Sequence, residues 1–510
     1  MKNKFAKNVG ILGITGIIIK IIGAIYRVPL AVFMSEDAVA YYSLAYPWYN
    51  ILIVISSTAL PAVIAKLVAE AGANDQMQRQ NDVLNASNRL MQYFGIATML
   101  FLVGFANIIS SSLGYPESTY SFYVLGIASY FVALNAAYRG FFQGTQRLEF
   151  YGISQLLEQI GRVVFGLALV AALSGFAMGD DFIAAAGTSG ALFGAVISWG
   201  YVVSRHRKHY KNHTKTTGDF KPIYKSILKL MLPIALGASI MPLLSIIDGT
   251  LVVWRLRSIG LVENAAILYS YLSFYSSPII NISQVVFTAL QVSLLPMITK
   301  SFTQGSEHIH KQINLGVLLS VALGLPMGLG IAGFAEEILL FLYPSKAQIT
   351  AGAAPVLAIL GLSIAFLSVY LATTSILQGM NQYKKPVVHL FIGAGIKIIS
   401  AYILIGIPAL NIDGAAYSTL LAYAVAAFLN LRLVYKLTKP TKEVVLKLLY
   451  TVLANLLMIF AGKGVFAVLA GSLSMRVNLM ISIFVAVVVY AGCIFFGKIV
   501  TRHDFDSLER

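Results

Sequence analysis

Residues 479–496 read LMISIFVAVVVYAGCIFF, without one charged side chain. At 1.5 Å per residue a helix of that length crosses about 27 Å, close to the roughly 30 Å of a bilayer's hydrocarbon core. A barrel strand would alternate apolar and polar faces, whereas this stretch, like Ile51 to Val68, is apolar on nearly every side. Runs of 18 to 28 such residues recur from end to end. The 510 residues are 58% hydrophobic and 11% charged, with mean hydropathy +0.78, too little polar surface to cover a soluble globule of this size. The expected fold is an all-α integral membrane protein of about 14 transmembrane helices, the first span at 9–34 and the last at 476–499.

The net charge of +16 records membrane topology rather than nucleic-acid binding. With the amino terminus placed in the cytoplasm, 28 of the 37 Lys and Arg fall in inner loops, helix ends and termini. Five fall outside (Arg255, Arg257, Lys346, Lys463 and Arg476), and Lys20, Arg27, Arg162 and Lys397 stay within the membrane. One missed helix would invert the alternation downstream, so the pattern supports an even span count with both termini cytoplasmic. The single cysteine, Cys493, excludes an internal disulfide and a cysteine metal site. The first span is too long, and too charged at Lys20 and Arg27, for a cleaved signal peptide. No GxxxxGK[ST] loop and no His-Glu cluster occurs, so neither nucleotide, metal nor cofactor is expected. The loops are too short for a catalytic domain, so the chain is expected to be a transporter and not an enzyme.

A weak internal repeat relates the two halves. Gln143-Gly144-Thr145-Gln146 ends span 4 and Gln378-Gly379-Met380-Asn381 ends span 10, and each Gln-Gly stands 19 residues before an intramembrane base, Arg162 or Lys397. Thr58-Ala59-Leu60 echoes Thr288-Ala289-Leu290. The expected organisation is a six-helix lobe at 1–204, a basic cytoplasmic linker at 205–225, a second six-helix lobe at 226–437, and two added spans with a tail at 438–510. Prolines within or beside spans 1, 2, 7 and 8, among them Pro29, Pro61 and Pro278, would suit moving lobes or ordinary packing irregularity.

A Lys or Arg at mid-membrane costs about 2.5–3.5 kcal/mol on insertion scales, so each needs a partner, a cavity or a job. Gly16, Lys20, Gly23 and Arg27 are spaced four, three and four apart, which puts two cations and little bulk on one helix face. Such a groove suits a phosphate or diphosphate. Asp248 in span 7 would neutralise Lys20 or Arg27 in an empty cavity, and Arg255, seven residues on, either completes the cationic site from the second lobe or snorkels to headgroups like Arg257. Glu158 and Arg162 form an i, i+4 pair with the acid first, expected to be structural. Lys397 has no acid in its own span and must face a carbonyl, a cavity or another helix, and His389 reads as packed or interfacial.

Three stretches carry a family resemblance: Gly23-Ala24-Ile25-Tyr26-Arg27-Val28-Pro29, the run from Leu60 to Glu70 (LPAVIAKLVAE), and Tyr138-Arg139-Gly140-Phe141-Phe142-Gln143-Gly144. The chain resembles the polysaccharide and lipid-linked oligosaccharide flippases of the multidrug/oligosaccharidyl-lipid/polysaccharide exporter superfamily, in the SpoVB and YtgP-like branch that borders the MurJ lipid II flippases. That resemblance implies two six-helix lobes around a V-shaped cavity, with alternating access carrying a polyprenyl-diphosphate saccharide across a bacterial cytoplasmic membrane. It also implies that Lys20 and Arg27 serve as cavity cations, and that spans 13 and 14 form a groove for the lipid tail. Two departures bear on cargo: residues 48–65 hold no arginine, and residues 269–278 lack the Asp-Arg pair of many MurJ proteins. The expected function is a flippase for an undecaprenyl-diphosphate saccharide, most concretely lipid II, with Lys20, Arg27 and Arg255 on the diphosphate. Asp248, Glu158, Arg162 and Lys397 are expected in charge pairing or ion coupling. The expected partners are the anionic lipid-linked oligosaccharide, membrane lipids and cell-wall synthesis enzymes, with no nucleic acid. The rivals are a flippase for another surface polysaccharide intermediate, a MATE-like cation or drug antiporter working through Asp248, and a scaffold that recruits wall enzymes through the basic loop.

Overall fold

The computed structural model describes all residues except 1–14, 17, 211–219, 306–307, 439 and 500–510. Outside the described residues therefore lie the start of span 1, the amino-terminal lysines, the middle of the basic linker and the tail. Every regular element among the described residues is helical. Among the described residues eleven helices are long and apolar enough to cross a membrane, and Met77–Gly104 with Ala106–Leu113, bent by 47°, makes a twelfth. The expected count of about 14 is consistent with these together with span 1 and the 38-residue helix Lys221–Ser258.

Chain contacts gather into two compact units, Met1–Trp254 with Glu263–Ser270, and Arg255–Val262 with Tyr271–Arg510. Unit 1 opens with helical residues 18–25 and α1 (Arg27–Phe33), joined through Tyr26 in helical geometry at φ −53° and ψ −33°. Next comes α2 (Glu36–Val54), whose first turn is fixed by Ser35 Oγ accepting from Ala38 N at 3.0 Å and by Glu36 and Asp37 at the positive helix end. A π-helical turn, Ile55–Ala59, leads into α3 (Leu60–Ala73). The π turn ends two residues before Pro61, where a backbone donor is missing, and a second one, Tyr271–Ser276, ends two residues before Pro278. Then follow α4 (Met77–Gly104), α5 (Ala106–Leu113), α6 (Thr119–Gly144), α7 (Leu148–Gly175) and α8 (Asp180–His209).

The helix α9 (Lys221–Ser258) is about 57 Å long at 1.5 Å per residue, nearly twice the hydrocarbon thickness. Its early residue Ile227 is fully buried in one apolar cluster with Leu60, Ile64, Phe141 and Phe142. The first turns of α9 thus pack into the core of unit 1. Short α10 (Ala265–Ser270) is held to the same unit by the Tyr115 hydroxyl, which accepts from Ala266 N at 3.0 Å.

Unit 2 contains α11 (Ser277–Thr303), α12 (Ile309–Gly333), α13 (Ala335–Leu342), α14 (Ala347–Gly379), α15 (Lys384–Ile405), α16 (Asp413–Leu437), α17 (Lys442–Val468) and α18 (Met475–Phe496). Ile298, Ile313, Val317, Ile376 and Leu377 form its fully buried centre.

The repeat seen in the sequence has a structural counterpart inside each unit. Gln146 and Asn381 both take left-handed geometry, at φ 61° and 63°. Around them run matching Schellman bonds: Arg147 N to Phe142 O at 2.8 Å with Gln146 N to Gln143 O at 3.2 Å, and Gln382 N to Leu377 O at 2.8 Å with Asn381 N to Gln378 O at 3.0 Å. The preceding glycines are wedges. A Cβ on Gly144 would stand 2.7 Å from Val68 Cβ, and one on Gly379 would stand 2.8 Å from Ile298 Cβ. Gly126 meets Leu102 and Val103 just as Gly361 meets Ile331 and Ala332.

Candidate functional site

The first helix places its two cations differently. Lys20 is exposed, and Arg27 is half-buried at the start of α1. Between them Tyr26 is buried, its hydroxyl donating to Gly187 O at 3.2 Å, with ring and hydroxyl seated so closely on Gly166 that no side chain fits there. A Cβ on Gly23 would meet Gln159 Nε2 at 3.1 Å, so this glycine makes room for α7 rather than for a ligand beside the cations. Gly16 faces open space.

On α7, Glu158 is the centre of a buried network. Its Oε2 receives Arg139 Nη2 at 2.8 Å, and its Oε1 receives Arg162 Nη2 at 3.4 Å. Arg139 is also fixed by Nε to Ser154 Oγ at 2.9 Å and by Nη2 to Ser198 Oγ at 2.9 Å, and Ser198 Oγ donates to Asn135 Oδ1 at 3.0 Å. Arg139, which the charge count places at the inner end of span 4, is thus only 2% exposed and is the principal partner of Glu158. Side chains on a helix lean toward its amino terminus, so a base five residues from the end of α6 points back into the lobe rather than out. The sequence signal that accompanies it is modest: Ser154 and Glu158 stand one turn apart on α7.

Arg162 reaches the other way, Nη1 donating to Tyr46 Oη on α2 at 2.9 Å. Tyr46 stacks on Tyr42 at 5.2 Å and meets Tyr49 edge-on at 5.9 Å, so three tyrosines at i, i+4 and i+7 line the approach to this base.

Unit 2 carries a version without the ion pair. His389 Nδ1 lies 2.7 Å from Asn430 Oδ1, and Asn430 Nδ2 donates to Thr374 Oγ1 at 3.0 Å. Thr374 and His389 follow Arg139 and Ser154 by the same 235 residues that separate the two Gln-Gly pairs. Lys397 stands at the same interval from Arg162, half-buried on α15. Arg255 belongs to unit 2, with Nε donating to Tyr402 O at 3.0 Å and Cζ 4.5 Å above the Tyr402 ring. Its guanidinium thus serves the carboxyl end of α15. Asp248 is half-buried on α9, within unit 1.

The last two helices form a groove with α12. It holds about 420 Å³ and is lined by apolar groups, among them Leu323, Pro326 and Met327 of α12, Ile459 of α17, and Ile483 and Val487 of α18. Tyr490 Oη closes one side by donating to Ala322 O at 2.7 Å. Lys463 pairs with Glu337 at 2.7 Å and lies 4.8 Å from the ring of Phe334, itself part of the groove wall.

Repeated helical units, paired broken helices, buried charges and a two-helix appendage fit a membrane transporter of the multidrug/oligosaccharidyl-lipid/polysaccharide superfamily, the class the family models support. The chain belongs to the polysaccharide biosynthesis protein family, whose model matches residues 5–302. A second model, MatE, matches residues 270–403. Lipid II flippase MurJ of Bacillus subtilis (strain 168) is 24% identical over 444 residues, covering 83% of this chain and 81% of that one. Stage V sporulation protein B of the same organism is 24% identical over 449 residues, covering 85% and 84%. A solved structure of lipid II flippase MurJ in an inward closed conformation superposes with TM-score 0.73 at 17% identity, covering 96% of this chain and 99% of that one.

Proposed function

We propose that the protein flips an undecaprenyl-diphosphate-linked saccharide, most concretely the peptidoglycan precursor lipid II, from the inner to the outer leaflet of a bacterial cytoplasmic membrane. Two six-helix lobes, 1–204 and 226–437, would alternate access about the linker 205–225, with both termini cytoplasmic. The cargo has an anionic head and a long apolar tail. The observation that carries this reading is that the chain has a feature for each: intramembrane cations beginning with Lys20 and Arg27 in unit 1, and the 420 Å³ apolar groove of α12, α17 and α18 in unit 2. Lys20 and Arg27 grip the diphosphate, and Asp248 balances them when the cargo leaves. Arg255 joins them only by giving up the Tyr402 carbonyl. Cell-wall synthesis enzymes are the partners that would supply and consume such a cargo.

The test is leaflet-resolved lipid II in cells depleted of the protein and of redundant flippases, rescued by wild type or by Lys20→Ala and Arg27→Ala proteins confirmed in the membrane. Inner-leaflet accumulation that wild type clears and the variants do not supports the reading. Normal flipping under depletion removes lipid II as cargo. The MatE match over residues 270–403 favours one second reading, cation-coupled export, which requires drug or cation efflux abolished by Asp248→Asn.

A further inference from the structure

Glu158 is shared unequally. Arg139 takes it at 2.8 Å, with Ser154 and Ser198 completing the guanidinium's bonds, and its side chain is only 3% exposed. Arg162 has the leftover oxygen at 3.4 Å, beyond the roughly 2.7–2.9 Å of a strong charge-assisted bond. Two arginines on one carboxylate leave the group one positive charge in excess. Among the described residues Arg162 Nε, moreover, is buried with no hydrogen-bond partner, and so is the hydroxyl of fully buried Tyr49. An unspent donor beside an uncompensated cation inside a membrane lobe is costly to keep.

The repeat separates the two arginines. In unit 2 the positions 235 residues after Arg139, Ser154 and Glu158 are Thr374, His389 and Gly393, so a network without arginine or carboxylate stands where the ion pair was. The base is nevertheless retained, as Lys397 in place of Arg162. A cation that persists where its acid does not is there for something other than that acid. Arg162 also shares its surroundings with the first helix. Tyr26 and Tyr42 both rest on Gly187, Tyr42 stacks on Tyr46, and Tyr46 holds Arg162. Arg27, next to Tyr26, and Arg162 are both electrostatic neighbours of Tyr42.

We propose that Arg162 is an anion-binding residue of unit 1, parked on Glu158 and Tyr46 and handed over to a phosphate group of the lipid-linked diphosphate that Arg27 engages. Arg139 is the structural base. It neutralises Glu158 permanently, so that the departure of Arg162 leaves no buried carboxylate unpaired. This rests on the reading of the cargo as a polyprenyl diphosphate.

The experiment measures equilibrium binding of undecaprenyl diphosphate to the full-length protein in nanodiscs, together with its unfolding temperature. Arg162→Gln is expected to weaken binding roughly tenfold with an unchanged unfolding temperature, and Arg162→Lys to fall between it and wild type. Tyr46→Phe removes a parking partner while sparing the base, and is expected to tighten binding. It keeps the test open if Arg162→Gln fails to fold. Wild-type affinity in Arg162→Gln, or weakened binding in Tyr46→Phe at an unchanged unfolding temperature, overturns the handover. If Lys20→Ala and Arg27→Ala lose the diphosphate while Arg162→Gln does not, the cargo reading survives and the role of Arg162 falls. If wild type itself has no affinity for the diphosphate, both fall.

Discussion

Lys463 Nζ lies 2.7 Å from Glu337 Oε1 and 4.8 Å from the ring of Phe334, binding α17 to the short helix α13. With the Tyr490 hydroxyl on Ala322 O, this is a polar tie between the appended pair of helices and the rest of unit 2, beside a largely apolar groove.

Removing the tie should loosen the groove wall without unfolding the lobe. Glu337 is 17% exposed and Lys463 41%, so water screens the pair in part, and its loss costs about 0.5–1 kcal/mol with about 0.5–1 more for the cation–π contact. Lys463→Met should therefore lower the unfolding temperature slightly and speed hydrogen exchange in α17 and α18 only, which mass spectrometry of peptic fragments would show. Exchange that rises equally throughout unit 2 contradicts this account.

Arg139→Gln should be far more damaging. The side chain is buried, and its removal leaves Glu158 with only the longer 3.4 Å contact to Arg162 and takes a donor from Ser154 and Ser198, a loss of about 3 kcal/mol, at the low end for breaking a buried ion pair. Glu158→Gln in the same chain should add to that loss, since Arg162 then gives up its carboxylate while still buried. Unfolding temperatures of the two single variants and the double variant form the cycle. A double variant more stable than Arg139→Gln would mean that Glu158 gains nothing from Arg162 once Arg139 is gone.

The contrast between these two pairs shows where the sequence is readable. Hydropathy locates the stretch that must lie in hydrocarbon, and so finds the spans. It does not locate helix ends, because helices continue in amphipathic form past the membrane: α4 begins at Met77 where the apolar run starts at 87, and α9 runs from Lys221 to Ser258 around a run of 226–254. The Gln-Gly repeat is legible because a Schellman cap and a glycine wedge both demand particular residues. Glu158 with Arg162 is legible because four residues make one helical turn. Arg139 is not, since counting bases by their distance from a span end cannot tell a snorkelling side chain from one that leans back into the lobe. Nor is Gly23, whose value lies in admitting Gln159 from another helix.

The two wedge glycines should respond alike if the repeat is a packing equivalence. A Cβ at Gly144 or Gly379 would sit within 2.8 Å of Val68 or Ile298, and overpacking of this kind costs about 1–3 kcal/mol. Gly144→Ala and Gly379→Ala should each lower the unfolding temperature. Val68→Gly and Ile298→Gly, which remove the clashing Cβ, should each relieve the matching glycine variant in part and not the other. Cross-relief between the pairs would show that the defects are general losses of stability rather than local wedges.

The groove gives the last prediction, because its size sets what it can hold. About 420 Å³ admits several isoprene units but not a whole undecaprenyl chain, so only part of the tail is sheltered and the rest must lie in lipid. Val487 stands on the groove wall, 57% exposed, and Val487→Trp can fill the space without straining the core. Each CH₂ displaced into lipid loses close packing but no hydrophobic transfer energy, since lipid is as apolar as the groove. The penalty should accordingly be modest, a several-fold loss of affinity for undecaprenyl diphosphate with affinity for inorganic diphosphate unchanged. Titration of both compounds into nanodisc-embedded wild type and Val487→Trp separates tail from head. Equal losses for the two would mean that the groove acts on the fold of unit 2 and not on the lipid tail.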